Sequence, residues 1–411
     1  MGELHGLAKV PTGAPGLNSS ELLTREFSQR FHRPPTHLIR APGRVNLIGE
    51  HTDYNEGLVM PLAIDLSLVM AIAARKDKRI EAHSLDLDAQ AEFGLFQIRN
   101  TSSGWAEYLK GTSWALQEHG YELGGWDGLI SSTIPIGAGL ASSAALEMAT
   151  IKAFEVVSGF AWGPVAMARI AQFAENNWVG VKSGIMDQMI IAVGKRGSAV
   201  RIDCRSLEYH PVSLPGDARI VIVDSGTRRG LVESAYNERR EQCESAARSF
   251  GLSSLRNLDL ERLQTKVQEL PQEVFKRARH VVTENERVEQ AVLAMQDRDV
   301  VRLGAILREG HASLRDDFAV SRVEIDTLVE IANERSECYG ARMTGGGFGG
   351  CVVCLVSSKL LDGFVNGVQR KYRETTNLDA KVYLTEAQDG VSAFEILPDP
   401  GNLPRLLDIV E

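Results

Sequence analysis

The sequence of 411 residues contains no GxxxxGK[ST] string, so the phosphate loop of P-loop proteins is absent. It has no excess of basic charge. Acidic residues number 54 against 45 basic ones, and the net charge of −9 argues against a nucleic-acid or membrane-surface partner. Charged substrates must then be held by local groups and not by a global field. No apolar run is long enough to span a bilayer. The longest, Leu58–Ala74, is broken by Pro61, Asp65 and Ser67 and reads as buried strands. No secretory apolar region follows Met1. The five cysteines, odd in number and scattered, suit a reducing cytoplasm and not a disulfide framework. Cys351 and Cys354 have CxxC spacing, but along a strand of period two they face opposite sides and read as core residues. There is no internal repeat and no low-complexity segment.

What is present begins with Ile134–Ala149, IPIGAGLASSAALEMA. Pro135, Gly137 and Gly139 forbid regular structure at its start. Ser142 and Ser143 then open an apolar, Ala-rich run to about Ser158, with a stripe at Leu146, Ala149, Ala153 and Val157. Glycines let a ligand approach the backbone, and the first N–H groups of a helix point outward at its positive end. The pattern is that of an anion site suited to phosphate. A second glycine string, Gly345–Gly350, formally fits GxGxxG. The run CVVCLV follows it where a dinucleotide site needs a helix, so that reading is discarded.

Along the chain, residues 1–17 read as a loose lead-in, followed by a helix capped by Ser19 or Ser20 with Leu23, Phe27 and Phe31 on one face. Strands are expected at 62–74, 80–84, 128–132, 198–204 and 220–224, and helices at 107–119, 164–176 and 184–193. The second half turns helical over 231–250, 273–296, 300–308 and 321–335, the last with a capping box of Ser321 and Glu324. A strand (351–356), a helix (359–373) and a strand (381–384) close the chain. Interleaved strands and helices in both halves favour two α/β or α+β domains, 1–210 and 211–411, with the break near 205–218.

Two further stretches are dense in polar groups. RAPGRVNLIGEHTDY (Arg40–Tyr54) packs Arg44, Glu50, His51 and Asp53 around Gly49 on an expected loop; a carboxylate there can accept two hydrogen bonds from a diol. AENNWVGVKSGIMDQ (Ala174–Gln188) places Glu175 and Asp187 twelve apart, where each also reads as an ordinary surface or dipole-complementing charge.

The glycine loop resembles the phosphate-binding motif of the GHMP kinases, P-x-G-x-G-L-S-S-S-A, with Ala141 where the family has its first serine. GRVNLIGEHTDY resembles the N-terminal motif of galactokinases, and A-E followed by GIMDQ resembles another string of that family. SGTRRGLVESAYNERREQC (Ser225–Cys243), GHASLRDDFAVS (Gly310–Ser321) and RMTGGGFGGCVV (Arg342–Val353) extend the resemblance in order along most of the chain. It implies an α+β two-domain GHMP kinase fold, with a ribosomal-S5-like N-terminal domain, a ferredoxin-like C-terminal domain and the active site in the cleft between them. It implies transfer of the γ-phosphate of ATP to the anomeric hydroxyl of galactose. Asp187 is then the base and Arg44 its partner at the transfer centre. Glu50, His51, Thr52, Asp53, Gly184 and Tyr236 are assigned to the sugar. Gly137, Ala138, Gly139, Leu140, Ala141, Ser142 and Ser143 are assigned to ATP, with Ser84 and Trp105 beside them; Trp105 reads equally as a core aromatic. Ser143 and Glu175 are assigned to Mg²⁺. A cytoplasmic monomer is expected, with no nucleic-acid or membrane partner. Two rivals follow from the same resemblance: a kinase for N-acetylgalactosamine or another hexose, and a sensor that binds ATP and sugar without turnover.

Overall fold

The structure, a computed structural model, describes residues 17–101, 104–227, 232–396 and 406–408. The lead-in expected over 1–17 lies, up to residue 16, outside the described residues. In chain order, α1 (Leu17–Phe31) precedes β1 (His37–Asn46), β2 (Leu58–Val59), β3 (Pro61–Arg75), β4 (Arg79–Ser84) and β5 (Ala89–Gly94). Next come α2 (Ala106–Glu118), β6 (Gly125–Ser132), α3 (Ser142–Ser158), α4 (Pro164–Ala174) and α5 (Met186–Val193). Then follow β7 (Ser198–Asp203), β8 (Tyr209–Ser213) and β9 (Ala218–Asp224). The helical stretch comprises α6 (Val232–Ser249), α7 (Leu260–Gln264), α8 (Gln272–Gln296), α9 (Val300–Ser313) and α10 (Val323–Asn333). The chain closes with β10 (Cys338–Thr344), β11 (Cys351–Ser357), α11 (Leu361–Thr376), β12 (Lys381–Thr385), β13 (Ser392–Ile396) and β14 (Leu406–Asp408).

Two large sheets carry the fold. One has the order β14-β13-β1-β3-β6-β4-β5, with only β4 and β6 parallel. The other has the order β10-β11-β9-β12, all antiparallel, which is the split β-α-β arrangement of a ferredoxin-like unit. A small sheet, β2-β7-β8, lies beside them. Both large sheets are covered on both faces. Along β3, Leu68, Met70 and Ile72 enter one core while Val69, Ala71 and Ala73 pack with Leu23 and Phe27 of α1. Along β11, Cys351, Val353 and Leu355 face the first core and Val352, Cys354 and Val356 face another under α6, α8 and α10. The two cysteines thus lie on opposite faces, as their spacing requires.

Several local expectations are corrected. Helix α1 starts at Leu17, so Ser19 and Ser20 lie inside its first turn; the last sequence breaker, Gly16, already precedes that start. The stretch read as a loop from Arg40 is strand β1 as far as Asn46, buried throughout except at His37. The capping box at α10 does not form. Arg322 precedes the helix, and the Ser321 hydroxyl donates to Asp326 at 2.5 Å, a carboxylate that also faces His311 at 3.2 Å. Strands β5 and β8 are sheet edges with little apolar signal; β8 has mostly exposed side chains and β5 mostly half-buried or exposed ones. Strands β13 and β14 return the chain end to the first sheet beside β1, so a division at 205–218 leaves them on the other side.

Candidate active site

The loop Ile134–Ala141 joins β6 to α3. Gly137 (φ 73°) and Gly139 (φ 78°) adopt the left-handed region, where a Cβ is strained. Ala141 does the same (φ 63°, ψ 40°) and precedes α3 without any side-chain cap, so the helix N-terminus faces a cavity of about 430 Å³ with its dipole uncovered. Strand β1 passes directly beneath this loop. A Cβ on Gly43 would stand 2.9 Å from the Leu140 carbonyl, and the Arg44 N–H donates to that carbonyl at 3.1 Å. The β1–β3 register shifts between Pro42 and Arg44, a bulge that re-aims the Arg44 side chain into the cavity.

There Arg44 meets Asp187, in the first turn of α5, through two parallel bonds: Nε to Oδ1 at 2.7 Å and Nη2 to Oδ2 at 2.6 Å. Its Nη1 donates to the Gly139 carbonyl at 2.5 Å. Burial disfavours the Arg44 cation, but Asp187 and Glu50 outweigh it and raise its pKa. Each Asp187 oxygen keeps a further lone pair for a proton or hydroxyl.

The turn after β1 brings Glu50, His51 and Asp53 to the same cavity, with Gly184 and Tyr236 opposite. Asp53 Oδ1 accepts from the Tyr54 N–H at 3.0 Å. Burial first, and then the nearby Asp187 charge, push its carboxyl up to about 6. A Cβ on Gly184 would fall 1.8 Å from Asp53 Oδ2, so only glycine permits this approach. Tyr236 stands with its ring 5.4 Å from that of His51, whose Nδ1 is 3.0 Å from the Tyr54 hydroxyl. Burial, with Asp53 and Asp187 adding to it, drives the Tyr236 phenol well above its ordinary range, leaving a neutral O–H. Glu50 is almost fully buried. Its oxygens accept from Asn46 Nδ2 at 2.9 Å and the Gly345 N–H at 2.8 Å, which ties the turn to the third glycine loop. Burial first raises the Glu50 pKa. Thr52 and Ala138 do not border the cavity. The Thr52 hydroxyl lies 2.8 Å from the Gly49 carbonyl and 2.6 Å from that of Leu58, and Ala138 is wholly buried.

Glu175 is not at a helix end. It opens a turn of π-helix (Glu175–Val179) continuing α4, the kind of distortion that clusters at functional sites. Its carboxylate meets the Ser143 hydroxyl at 3.4 Å, the Ser183 hydroxyl, and Gln188 Nε2 at 2.9 Å. No cluster of three or more His, Cys, Asp or Glu suited to a metal occurs among the described residues. A hydroxyl and a carboxylate lining one cavity are nonetheless the few hard oxygens that Mg²⁺ takes when phosphate and water complete its shell. The donor set fits that ion.

Beyond Ser142 and Ser143 a second pocket of about 250 Å³ opens, lined by Ser84, Trp105, Tyr108 and apolar side chains including Leu68, Ile130, Ile136 and Leu146. Ser84 and Trp105, distant in sequence, thus meet at one place next to the glycine loop. Sequence reasoning missed Tyr108, which borders both pockets, and Ser183, Gln188 and the buried Glu147, whose Oε2 lies 3.2 Å from Gln188 Nε2. Ser183 and Gln188 sit inside the string that carries Glu175 and Asp187, and that adjacency was the only available signal.

Among the described residues no helix is long and apolar enough to cross a membrane. Three family models match the chain: the galactokinase galactose-binding signature over residues 25–74, the GHMP kinases N terminal domain over 107–195, and the GHMP kinases C terminal over 291–374. A galactokinase of Roseiflexus sp. (strain RS-1) is 42% identical over 380 residues, covering 91% of this chain and 97% of that protein. The crystal structure of Lactococcus lactis galactokinase complexed with galactose is similar with a TM-score of 0.87 at 34% identity, over 91% of this chain and 99% of that one. The Methanococcus jannaschii mevalonate kinase shares the fold at 20% identity, with a TM-score of 0.65 over 87% of this chain and 100% of that one.

Proposed function

Because the chain belongs to the galactokinase family and is an ATP-dependent sugar kinase with the two-domain GHMP fold, we propose a division of labour for its residues in making galactose 1-phosphate and ADP from galactose and ATP. The carrying observation is the Arg44–Asp187 pair, held where the sugar turn and the glycine loop meet in one cavity. Asp53, His51 and Tyr236 bind the sugar. Glu50 acts through its bonds to Asn46 and Gly345, and Thr52 holds the turn's backbone. Gly184 clears space for Asp53. ATP lies with its phosphates over Gly137–Ser143 and the N-terminus of α3, and its base in the pocket of Ser84 and Trp105.

Phosphoryl transfer demands positioning and charge neutralisation more than covalent chemistry. Asp187 accepts the proton of the anomeric hydroxyl on a lone pair not used by Arg44. Arg44, fixed by two bonds, offsets charge on the transferring group, and the α3 dipole adds to it. Mg²⁺, held by Ser143 and Glu175, would supply further neutralisation of the phosphates. The protein acts as a monomer in the cytoplasm, a reading supported by its acidic charge and few cysteines.

The test is ADP release from Mg·ATP with galactose, N-acetylgalactosamine and other hexoses. Turnover with galactose is expected. Preference for a 2-substituted sugar would move the chain to the first rival. Binding of both ligands without turnover would make it a sensor.

A further inference from the structure

The turn that carries Glu50, His51 and Asp53 is held from the other half of the chain. Its backbone enters the left-handed region twice, at Gly49 (φ 95°) and His51 (φ 62°), and for His51 that conformation is strained. Successive N–H groups in such a turn converge and form a concavity for an anion. The anion is the carboxylate of Glu284, from the middle of α8. Its Oε1 accepts from the N–H of Gly49 at 2.9 Å and of Glu50 at 3.3 Å, and lies 3.0 Å from Arg342 Nη1. Its Oε2 accepts from Arg287 Nε at 2.7 Å.

Glu284 and Arg342 are wholly buried, and neither borders the cavity. Burial disfavours the Glu284 carboxylate, but Arg342 and Arg287 outweigh it and hold the carboxyl well below its usual range. Around this centre other bonds cross the same seam. Arg342 Nη1 donates to the Leu47 carbonyl at 3.1 Å, and His280 Nε2, one helical turn before Glu284, meets the Glu50 carbonyl at 3.0 Å. An ion pair buried this deeply seldom stabilises a fold more than apolar side chains of the same size. Its contacts with the turn give it another use.

We propose that Glu284 is a positioning residue for sugar recognition: its carboxylate, seated between Arg342 and Arg287, fixes the strained 49–53 turn and thereby sets where His51 and Asp53 meet galactose. The inference rests on the assignment of that turn to the sugar. Sequence gives no hint of it, because Glu284 lies in a charged helix and reads as one more solvated acid.

Glu284→Gln keeps the shape and removes the charge. The expected result is a galactose KM raised ~10-fold or more, a smaller fall in kcat, ATP affinity without sugar within about twofold of wild type, and faster hydrogen exchange at the Gly49 and Glu50 amides. A merely structural role would impair kcat, ATP affinity and exchange throughout the protein together. An unchanged galactose KM, or ATP affinity lost in equal measure, overturns the proposal. Asp53→Ala, measured alongside, separates it from its premise. If Asp53→Ala raises the galactose KM and Glu284→Gln does not, the positioning role alone is wrong. If Asp53→Ala spares the galactose KM, the sugar assignment falls and the inference with it. Should Glu284→Gln not fold, exchange in the wild-type protein decides. The Gly49 and Glu50 amides are expected to be as protected as those of β1, and rapid exchange there overturns the proposal.

Discussion

At the scale of single residues, the chemistry depends on two carboxylates in unlike settings. Asp187 is clamped by Arg44, whereas Asp53 has no cation bonded to it among the described residues and sits under the influence of a second acid. Asp187→Asn keeps the shape and one acceptor for Arg44 but removes the base. Turnover is expected to fall by about 10²–10⁴ while circular dichroism stays that of wild type. Activity within a few-fold of wild type would remove Asp187 from the mechanism. Asp53 carries two pH effects, because its carboxyl is pushed up to about 6. The ionised form is the better acceptor for sugar hydroxyls. The galactose KM should therefore rise as pH falls through about 6, and this dependence should vanish in Asp53→Asn. Stability runs the other way. A carboxyl raised from its ordinary 3.8 favours the folded state while neutral, so its relative stabilisation is full below that value and lost as pH rises through about 6. Asp53→Asn cannot ionise. It is expected to be more stable than wild type at pH 8 by about 1–2 kcal/mol, after allowing for water in the open cavity, with the gap closing towards pH 4. Equal urea midpoints at pH 8 would mean that burial does not press on Asp53. Residues of this kind were legible because they sit in compact strings of distinctive polar groups. Glu147 was not, since a lone acid inside an Ala-rich helix gives no sign of the partners that the fold brings to it.

At the scale of elements, the glycine loop and α3 were readable because their signals are local. Pro135, Gly137 and Gly139 break the chain, and good helix formers follow. The conformation of Ala141 was not readable, since alanine gives no warning of a left-handed φ. That conformation sharpens a prediction about the missing serine. The backbone at 141 already turns as the loop requires, and a serine in its place would carry a similar strain of roughly 1–2 kcal/mol. Ala141→Ser should therefore leave the KM for ATP within about threefold of wild type. A tenfold gain in affinity would show that the hydroxyl, and not the backbone, is what the phosphates seek. Elements hidden from sequence share a different cause. Strands β5 and β8 are sheet edges, and β13 gains its identity only by pairing with β1 more than three hundred residues earlier. β1 was misread because functional side chains, Arg44 among them, occupy positions that a plain strand would fill with apolar groups.

At the scale of the whole molecule, the sheet β10-β11-β9-β12 belongs to both large cores. Ile220 and Ile222 of β9 face the first, and Val221 and Val223 face the second. One half cannot open without baring a face of this sheet, and Glu284, Arg342 and Thr344 bond to β1 and the turn after it across the same seam. Multidomain chains commonly unfold in steps; this architecture argues for one. The five tryptophans all lie between Trp105 and Trp178, so their fluorescence reports the first half alone. Far-ultraviolet dichroism is weighted by the long helices α6 and α8 of the second half. The two signals are expected to change together in urea. Leu328→Ala provides the sharper form of the test. Leu328 is wholly buried on α10 in the second core, and its truncation should cost about 2–5 kcal/mol. If the halves are coupled, the tryptophan transition moves to lower urea by as much as the dichroism does, although no tryptophan belongs to that core. A tryptophan midpoint that stays fixed while the dichroism splits would mean that each half stands alone, and that the shared sheet joins the two cores in space without joining them in stability.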